Sequence, residues 1–181
     1  MAATETELLE KHAVPVYNLA LRLVGNPSDA EDLAQDALIR ALRSLHTFRG
    51  ECQLSTWVYR ITINTWKNRV RSEKRRGLWK MLPIDSLFGD KDGEAGSFPE
   101  PAGNDAPLDA AFETSQSGAA VQRALLQLDA ESRAIVVLRE LQGQTYQEIA
   151  VALEIPEGTV KSRLWRAREQ LKRLLANQVL P

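Results

Sequence analysis

Thr145-Tyr-Gln-Glu-Ile-Ala-Val-Ala-Leu-Glu-Ile-Pro-Glu-Gly-Thr-Val-Lys-Ser-Arg-Leu-Trp-Arg-Ala-Arg-Glu169 reads as two helices joined by a tight turn. Thr145 and Glu148 form the S/T-x-x-E pattern in which each side chain satisfies an orphan backbone donor at the other end, so a helix starts there and runs through Ile149, Ala150 and Leu153. Pro156 cannot continue that helix but suits the first turn of a second one. On the second helix Val160, Leu164, Ala167, Leu171 and Leu174 recur at steps of four and three, which places them on one buried face. Lys161, Ser162, Trp165, Arg166, Arg168, Lys172 and Arg173 project to the other side. A cationic helix face is by itself a solvated surface, but an outward tryptophan among cations has no core to fill. The pattern predicts a helix-turn-helix whose second helix enters the major groove of DNA.

The 181 residues are enough for one domain or two small ones. The net charge of −1 hides an asymmetry. Residues 1–82 hold 13 basic and 9 acidic side chains, residues 83–118 hold 1 and 8, and residues 119–181 hold 9 and 7. Two mildly basic ends are therefore separated by an acidic middle. No apolar run approaches bilayer length and no leader pattern opens the chain, which predicts a cytoplasmic protein without membrane insertion. Cys52 is the single cysteine, and His12 and His46 are not at metal-ligand spacing from it. No metal, no cofactor and no catalytic residues are expected.

Residues 5–24 have helical spacing interrupted by Pro15, which predicts a kink or a second helix start. After Gly25-Asn26-Pro27, Ser28 and Glu31 have the capping-box spacing, and a helix is expected to about Leu45. Its Ala30, Ala34, Leu38, Ala41 and Leu45 form the buried stripe. Asp32, Gln35, Asp36, Ile39 and Arg43 face elsewhere, and the acidic first turn is accounted for by the helix dipole alone. Residues 46–55 read as a loop. Ser55 to Arg76 predicts one long helix with a core side of Trp57, Val58, Ile61, Trp66 and Val70. Arg60, Asn64, Lys67, Arg71, Lys74 and Arg75 form a basic and amide edge on it, suited to phosphates, base edges and stacking.

Residues 83–118 contain four prolines and five glycines among acidic side chains and predict a flexible linker. Such a tether can reach DNA sites about two helical turns, roughly 70 Å, apart. Beyond it two helices are expected, one holding Val121, Leu125 and Leu128, the other starting between Asp129 and Ser132 and ending at Gly143.

Four motifs, Asn26-Pro-Ser-Asp-Ala-Glu-Asp-Leu-Ala-Gln-Asp36, Phe48-Arg-Gly50, Thr56-Trp-Val-Tyr-Arg-Ile-Thr-Ile-Asn64 and Gly158-Thr-Val-Lys-Ser-Arg-Leu-Trp-Arg-Ala-Arg168, together resemble the extracytoplasmic-function (ECF) sigma factors of bacterial RNA polymerase, of the sigma-70 family. The resemblance implies an all-α chain of two small helical domains, the region 2 bundle over 1–82 and the region 4 helix-turn-helix over 119–181, joined by the flexible acidic linker over 83–118. It implies a promoter-specificity subunit that binds core RNA polymerase through the coiled coil of the largest subunit and the flap of the second-largest subunit. Asp32, Gln35, Asp36, Ile39 and Leu42 become core-binding candidates, which gives the acidic turn a second role. Phe48, Arg49, Cys52, Arg60, Asn64, Lys67, Asn68, Arg71 and Arg75 become the residues that capture a flipped base and hold the opened strand of the −10 element. Thr159, Lys161, Ser162, Trp165 and Arg166 become −35 readers, with Arg163 and Arg168 on phosphates. An anti-sigma factor is the further implied partner. Trp165 and Lys161 depart from the family, whose members often carry Phe or a smaller residue at the first and Arg at the second.

Two other readings compete. A stand-alone helix-turn-helix regulator needs only the C-terminal half and leaves the N-terminal motifs without a role. A nuclease using Asp29, Glu31, Asp32 and Asp36 has its carboxylates in a short run of one helix, with no partner cluster elsewhere.

Overall fold

The computed structural model describes residues 5–79 and 116–179. Seven α-helices make up these residues, with no strand among them: α1 (Glu5–Val24), α2 (Pro27–Ser44), α3 (Leu54–Trp79), α4 (Gln116–Leu126), α5 (Ala130–Val136), α6 (Tyr146–Leu153) and α7 (Glu157–Val179). A single turn of 3-10 helix (Leu45–Thr47) follows α2, and a π-helical turn (Val137–Leu141) extends α5. Most of the linker expected over 83–118 lies outside the described residues, and its last three, Gln116 to Gly118, already belong to α4.

The local signals explain most helix ends. The capping box of α6 is complete: Thr145 Oγ1 accepts from the Glu148 N–H at 3.2 Å, and Glu148 Oε2 accepts from the Thr145 N–H at 2.8 Å. Asp129 caps α5 by accepting from the Glu131 and Ser132 amides. The start of α2 corrects the sequence reading. Its cap is Asn26, whose side chain accepts from the Asp29 amide, and not Ser28. Pro27 needs no N–H partner and fits the first helical position, so the helix begins two residues earlier than the Ser28–Glu31 spacing implied. Pro15 begins no new helix and lies inside a continuous α1. Pro156 precedes α7 and does not join its first turn; its carbonyl accepts from the Thr159 and Val160 amides.

The helix-turn-helix turn depends on Glu154, a non-glycine residue in the left-handed region with φ 58°. This conformation ends α6 and lets the Ile155 N–H return to the Ala150 carbonyl at 3.1 Å, closing an end that would otherwise leave carbonyls unpaired.

α1, α2 and α3 form an N-terminal bundle around Leu8, Val16, Leu19, Leu23, Leu33, Val58 and Ile63, all fully buried. Burial of each such aliphatic side chain contributes about 1.5–3 kcal/mol before entropy is counted. α4 to α7 pack around Leu125, Ile135, Leu138, Ile149 and Leu164. The two halves also pack on each other, α3 against α6 and α1 against α4 and the π turn, so their cores form one cluster. Gly25 sits at this joint with φ +87°, and a Cβ there would stand 2.6 Å from Leu126 Cδ1.

Candidate nucleic-acid interface

The alanines at 30, 34, 37 and 41 face the bundle and let α2 lie close to its neighbours. The opposite side of α2 then presents Asp32 and Gln35 exposed, Asp36 half-exposed, Ile39 at 39 % exposure and Leu42 half-buried at the edge. Arg69 of α3, which sequence reading did not single out, reaches this edge. Its Nη2 donates to Asp36 Oδ2 at 2.5 Å and to the Asp32 carbonyl at 3.0 Å. The contact spans 33 positions, and no local pattern announces it.

Between α2 and α3 the chain forms a cavity of about 360 Å³ lined by Thr47, Phe48, Arg49, Glu51, Cys52, Trp57, Arg60 and Val151. The Phe48 and Trp57 rings meet at 5.4 Å with a 50° tilt, a geometry in which edge and face attract. Partial burial pushes the Cys52 thiol above its usual value, with Arg60 pulling the other way. The thiol therefore stays protonated at neutral pH and is a weak nucleophile.

Along α3 the expected cationic edge is divided. Asn64, Asn68, Arg71 and Arg75, at steps of four, three and four, are exposed. Arg60 and Lys67 are half-buried and approach carboxylates of the C-terminal half, Glu154 at 4.0 Å and Glu131 at 3.8 Å. Burial lowers the Lys67 ammonium from its ordinary value, the like charges of Arg71 and Arg163 add to this, and Glu154 opposes it. Thr56 and Tyr59, on the same helix, are buried against two glutamines. Thr56 Oγ1 donates to Gln144 Oε1 at 3.2 Å, and the Tyr59 hydroxyl donates to Gln142 Oε1 at 2.9 Å.

On α7, Val160, Leu164 and Ala167 are buried as the periodicity required, with Leu171 and Leu174 half-buried. Lys161 and Arg166 are exposed, Lys161 pairing with Glu157 at 3.2 Å and lying 5.7 Å from the Tyr146 ring centre. Thr159 and Ser162 are half-buried, and the Ser162 hydroxyl donates to the Thr159 carbonyl. Trp165, expected to face outward among cations with no core to fill, is half-buried. Arg163 and Arg168, assigned to phosphates, are engaged within the protein. Arg163 pairs with Glu131, and Arg168 grips Glu140 of the π turn through Nε at 2.9 Å and Nη2 at 2.5 Å. The projection that set Arg168 opposite the core overlooked the reach of a long side chain curling back along apolar surface.

Arg133 ties the halves together. Its guanidinium donates to the Leu23 carbonyl of α1 at 2.7 Å and to the Leu126 and Leu128 carbonyls at 2.8 and 3.1 Å. It also lies 5.5 Å from the Trp66 ring centre. One side chain thus closes the C-terminal end of α4 and fastens it to the end of α1.

Residues 8–76 match Sigma-70 region 2 and residues 118–171 match Sigma-70 region 4. The chain is 39% identical over 170 residues to the ECF RNA polymerase sigma factor SigE of Mycolicibacterium smegmatis, covering 94% of this chain but 61% of that longer protein. It is 34% identical to the RNA polymerase sigma-H factor of Pseudomonas aeruginosa (93% of this chain, 84% of the relative). Against the ECF RNA polymerase sigma-E factor of Escherichia coli the identity is 35% (91% and 82%). Among solved structures it is similar to the sigma factor RpoE of Bartonella quintana in complex with the anti-sigma factor NepR, with a TM-score of 0.68, 26% identity and coverage of 94% and 96%. The fold is also that of CnrH in complex with the cytosolic domain of CnrY, at a TM-score of 0.63 and 22% identity, covering 96% and 88%. With both regions present in order, and with relatives matched over most of its length, the chain belongs to the ECF RNA polymerase sigma factors of the sigma-70 family.

Proposed function

We propose that this alternative sigma factor binds core RNA polymerase through the α2 edge of Asp32, Gln35, Asp36, Ile39 and Leu42, and that it opens promoters by gripping one strand on α3. The observation that carries the reading is the division of α3: its apolar side is fixed in the core while Asn64, Asn68, Arg71 and Arg75 stand exposed in a row. Guanidiniums in such a row neutralise successive phosphates, and the amides between them reach base edges. The cavity beside Phe48 and Trp57 takes the extruded base. Extrusion costs a few kcal/mol, and each stacked base returns about 1–3 kcal/mol, so opening needs no chemical energy from the factor itself.

On α7, Lys161, Ser162, Trp165 and Arg166, with Thr159 at its start, read the −35 element in the major groove, while Arg163 and Arg168 turn to phosphates once released from their carboxylates. The flap of the polymerase's second-largest subunit holds the C-terminal half. An anti-sigma factor occluding these surfaces is the expected regulator.

Transcription from a promoter library with reconstituted holoenzyme tests the reading, since it reports both elements and their spacing together. Enrichment of a −35 and −10 pair at fixed spacing is expected; failure to form a complex with core polymerase in gel filtration would end it.

A further inference from the structure

We infer that Tyr146 decides which base pair Lys161 reads: its ring, together with the Glu157 carboxylate, holds the Lys161 ammonium at one place on α7. This rests on the reading of Lys161 as a −35 reader. An arginine meets a base with a planar fork that sets its own direction, whereas a lysine is a point charge on a flexible four-carbon stem. A lysine therefore discriminates between bases only by where its ammonium stands. Left alone on an exposed helix face it samples several positions, and ordering it on binding weakens the contact about two- to tenfold.

Two restraints act on it here. Lys161 Nζ stands 3.2 Å from Glu157 Oε1, one turn earlier on α7. It also lies 5.7 Å from the centre of the Tyr146 ring, inside the span of about 6 Å over which a cation is drawn to an aromatic face. The carboxylate alone is a weak tether, since exposed pairs one helical turn apart contribute little and are screened by salt. The ring is the fixed partner. Tyr146 is the first residue of α6, directly after the Thr145 cap with its complete box, and it is half-buried against the hydrophobic core. The Arg139 guanidinium lies 4.9 Å from the same ring centre. Arg139 is itself tied down, donating from Nη1 to the Gln144 carbonyl at 3.0 Å. The π turn, the start of α6 and the recognition helix thus meet at one ring. All of these residues belong to the C-terminal half, so the arrangement travels with it to DNA.

The test titrates reconstituted holoenzyme against its preferred promoter duplex and against duplexes that change one −35 base pair at a time, giving each variant a discrimination ratio at every position. Lys161→Met, which keeps the stem and removes the charge, is expected to lower the ratio about tenfold at one base pair. Tyr146→Leu should lower it about two- to fivefold at that same base pair and leave every other −35 position at the parental ratio. Tyr146→Phe keeps the ring and should retain the parental ratio throughout. Adding Tyr146→Leu to Lys161→Met should cost nothing further, because no ammonium is left for the ring to hold. Tyr146→Met carries the same expectation as Tyr146→Leu and takes its place where a thermal melt shows the leucine variant unfolding. The inference is overturned if the ring-free variants weaken all duplexes alike, or if the Tyr146→Leu and Lys161→Met effects simply add. It is overturned too if Tyr146→Phe loses as much as Tyr146→Leu, which would make the hydroxyl the working group. If Lys161→Met alters discrimination at no base pair, the assignment of Lys161 as a reader falls, and this inference with it.

Discussion

Arg69 of α3 holds the carboxylate of Asp36 on α2 at 2.5 Å while its guanidinium also takes the Asp32 carbonyl. The core-binding edge proposed for α2 is thus oriented by α3, the helix proposed to grip the strand. Both partners are partly exposed, so the pair itself contributes no more than about 1 kcal/mol to stability. Arg69→Met should leave the melting temperature nearly unchanged yet weaken core-polymerase binding about fivefold, equivalent to ~1 kcal/mol. Fluorescence titration beside a thermal melt separates the two effects; a large stability loss with normal core affinity would contradict the assignment.

Trp165→Ala and Arg166→Ala should each weaken binding of holoenzyme to its preferred −35 duplex by about 1–3 kcal/mol and bind random duplex with a smaller loss. Equal losses on both duplexes would place these side chains on phosphates only.

Gly25 combines a positive φ with a close approach to Leu126. Gly25→Ala should therefore destabilise the chain by about 1–2 kcal/mol, the cost of a Cβ in the left-handed region, plus the displacement of Leu126. Adding Leu126→Ala should relieve only the second part, as a urea-unfolding double-mutant cycle will show.

Glu154 poses the opposite case. With φ 58° it occupies a place where glycine carries no Cβ penalty. Glu154→Gly should raise stability by about 1 kcal/mol in a thermal melt, the cleanest local test of the helix-turn-helix turn.

His12 carries a pH dependence. Burial, followed by the neighbouring Lys11 charge, lowers its imidazole from the ordinary value of 6.5, with Glu7 opposing. The unfolded chain then binds a proton more readily than the folded one. Stability should fall as pH drops below about 6.5, down to the folded-state value, and rise again on return to neutral. His12→Gln should flatten that part of the stability profile measured in urea.

What the sequence displayed were features decided within a few residues. The Thr145–Glu148 box, the Asp129 cap, the Gly143 stop and the buried row Val160, Leu164 and Ala167 all follow from capping chemistry and a 3.6-residue period. The errors were also local, where two rules competed. Asn26 with Pro27 outbid Ser28 with Glu31 for the start of α2, and of the two outcomes open at Pro15, a kink or a new helix, the new helix did not form. The π turn at Val137–Leu141 has no sequence signature that periodicity could register. Illegible for a deeper reason were Arg69 with Asp36, Tyr59 with Gln142 and Arg133 with Leu23, because pairings 33, 83 and 110 residues apart depend on how the helices are assembled. The same is true of Arg163 and Arg168, whose carboxylate partners lie on α5 and the π turn.

The shared carboxylate of Glu131 also constrains how such a factor can diverge. A substitution there alters the surroundings of Lys67 and Arg163 together. Drift at this position disturbs an ion pair on α3 and one on α7 in a single step, so the surface charge of neither helix can be retuned there without touching the other.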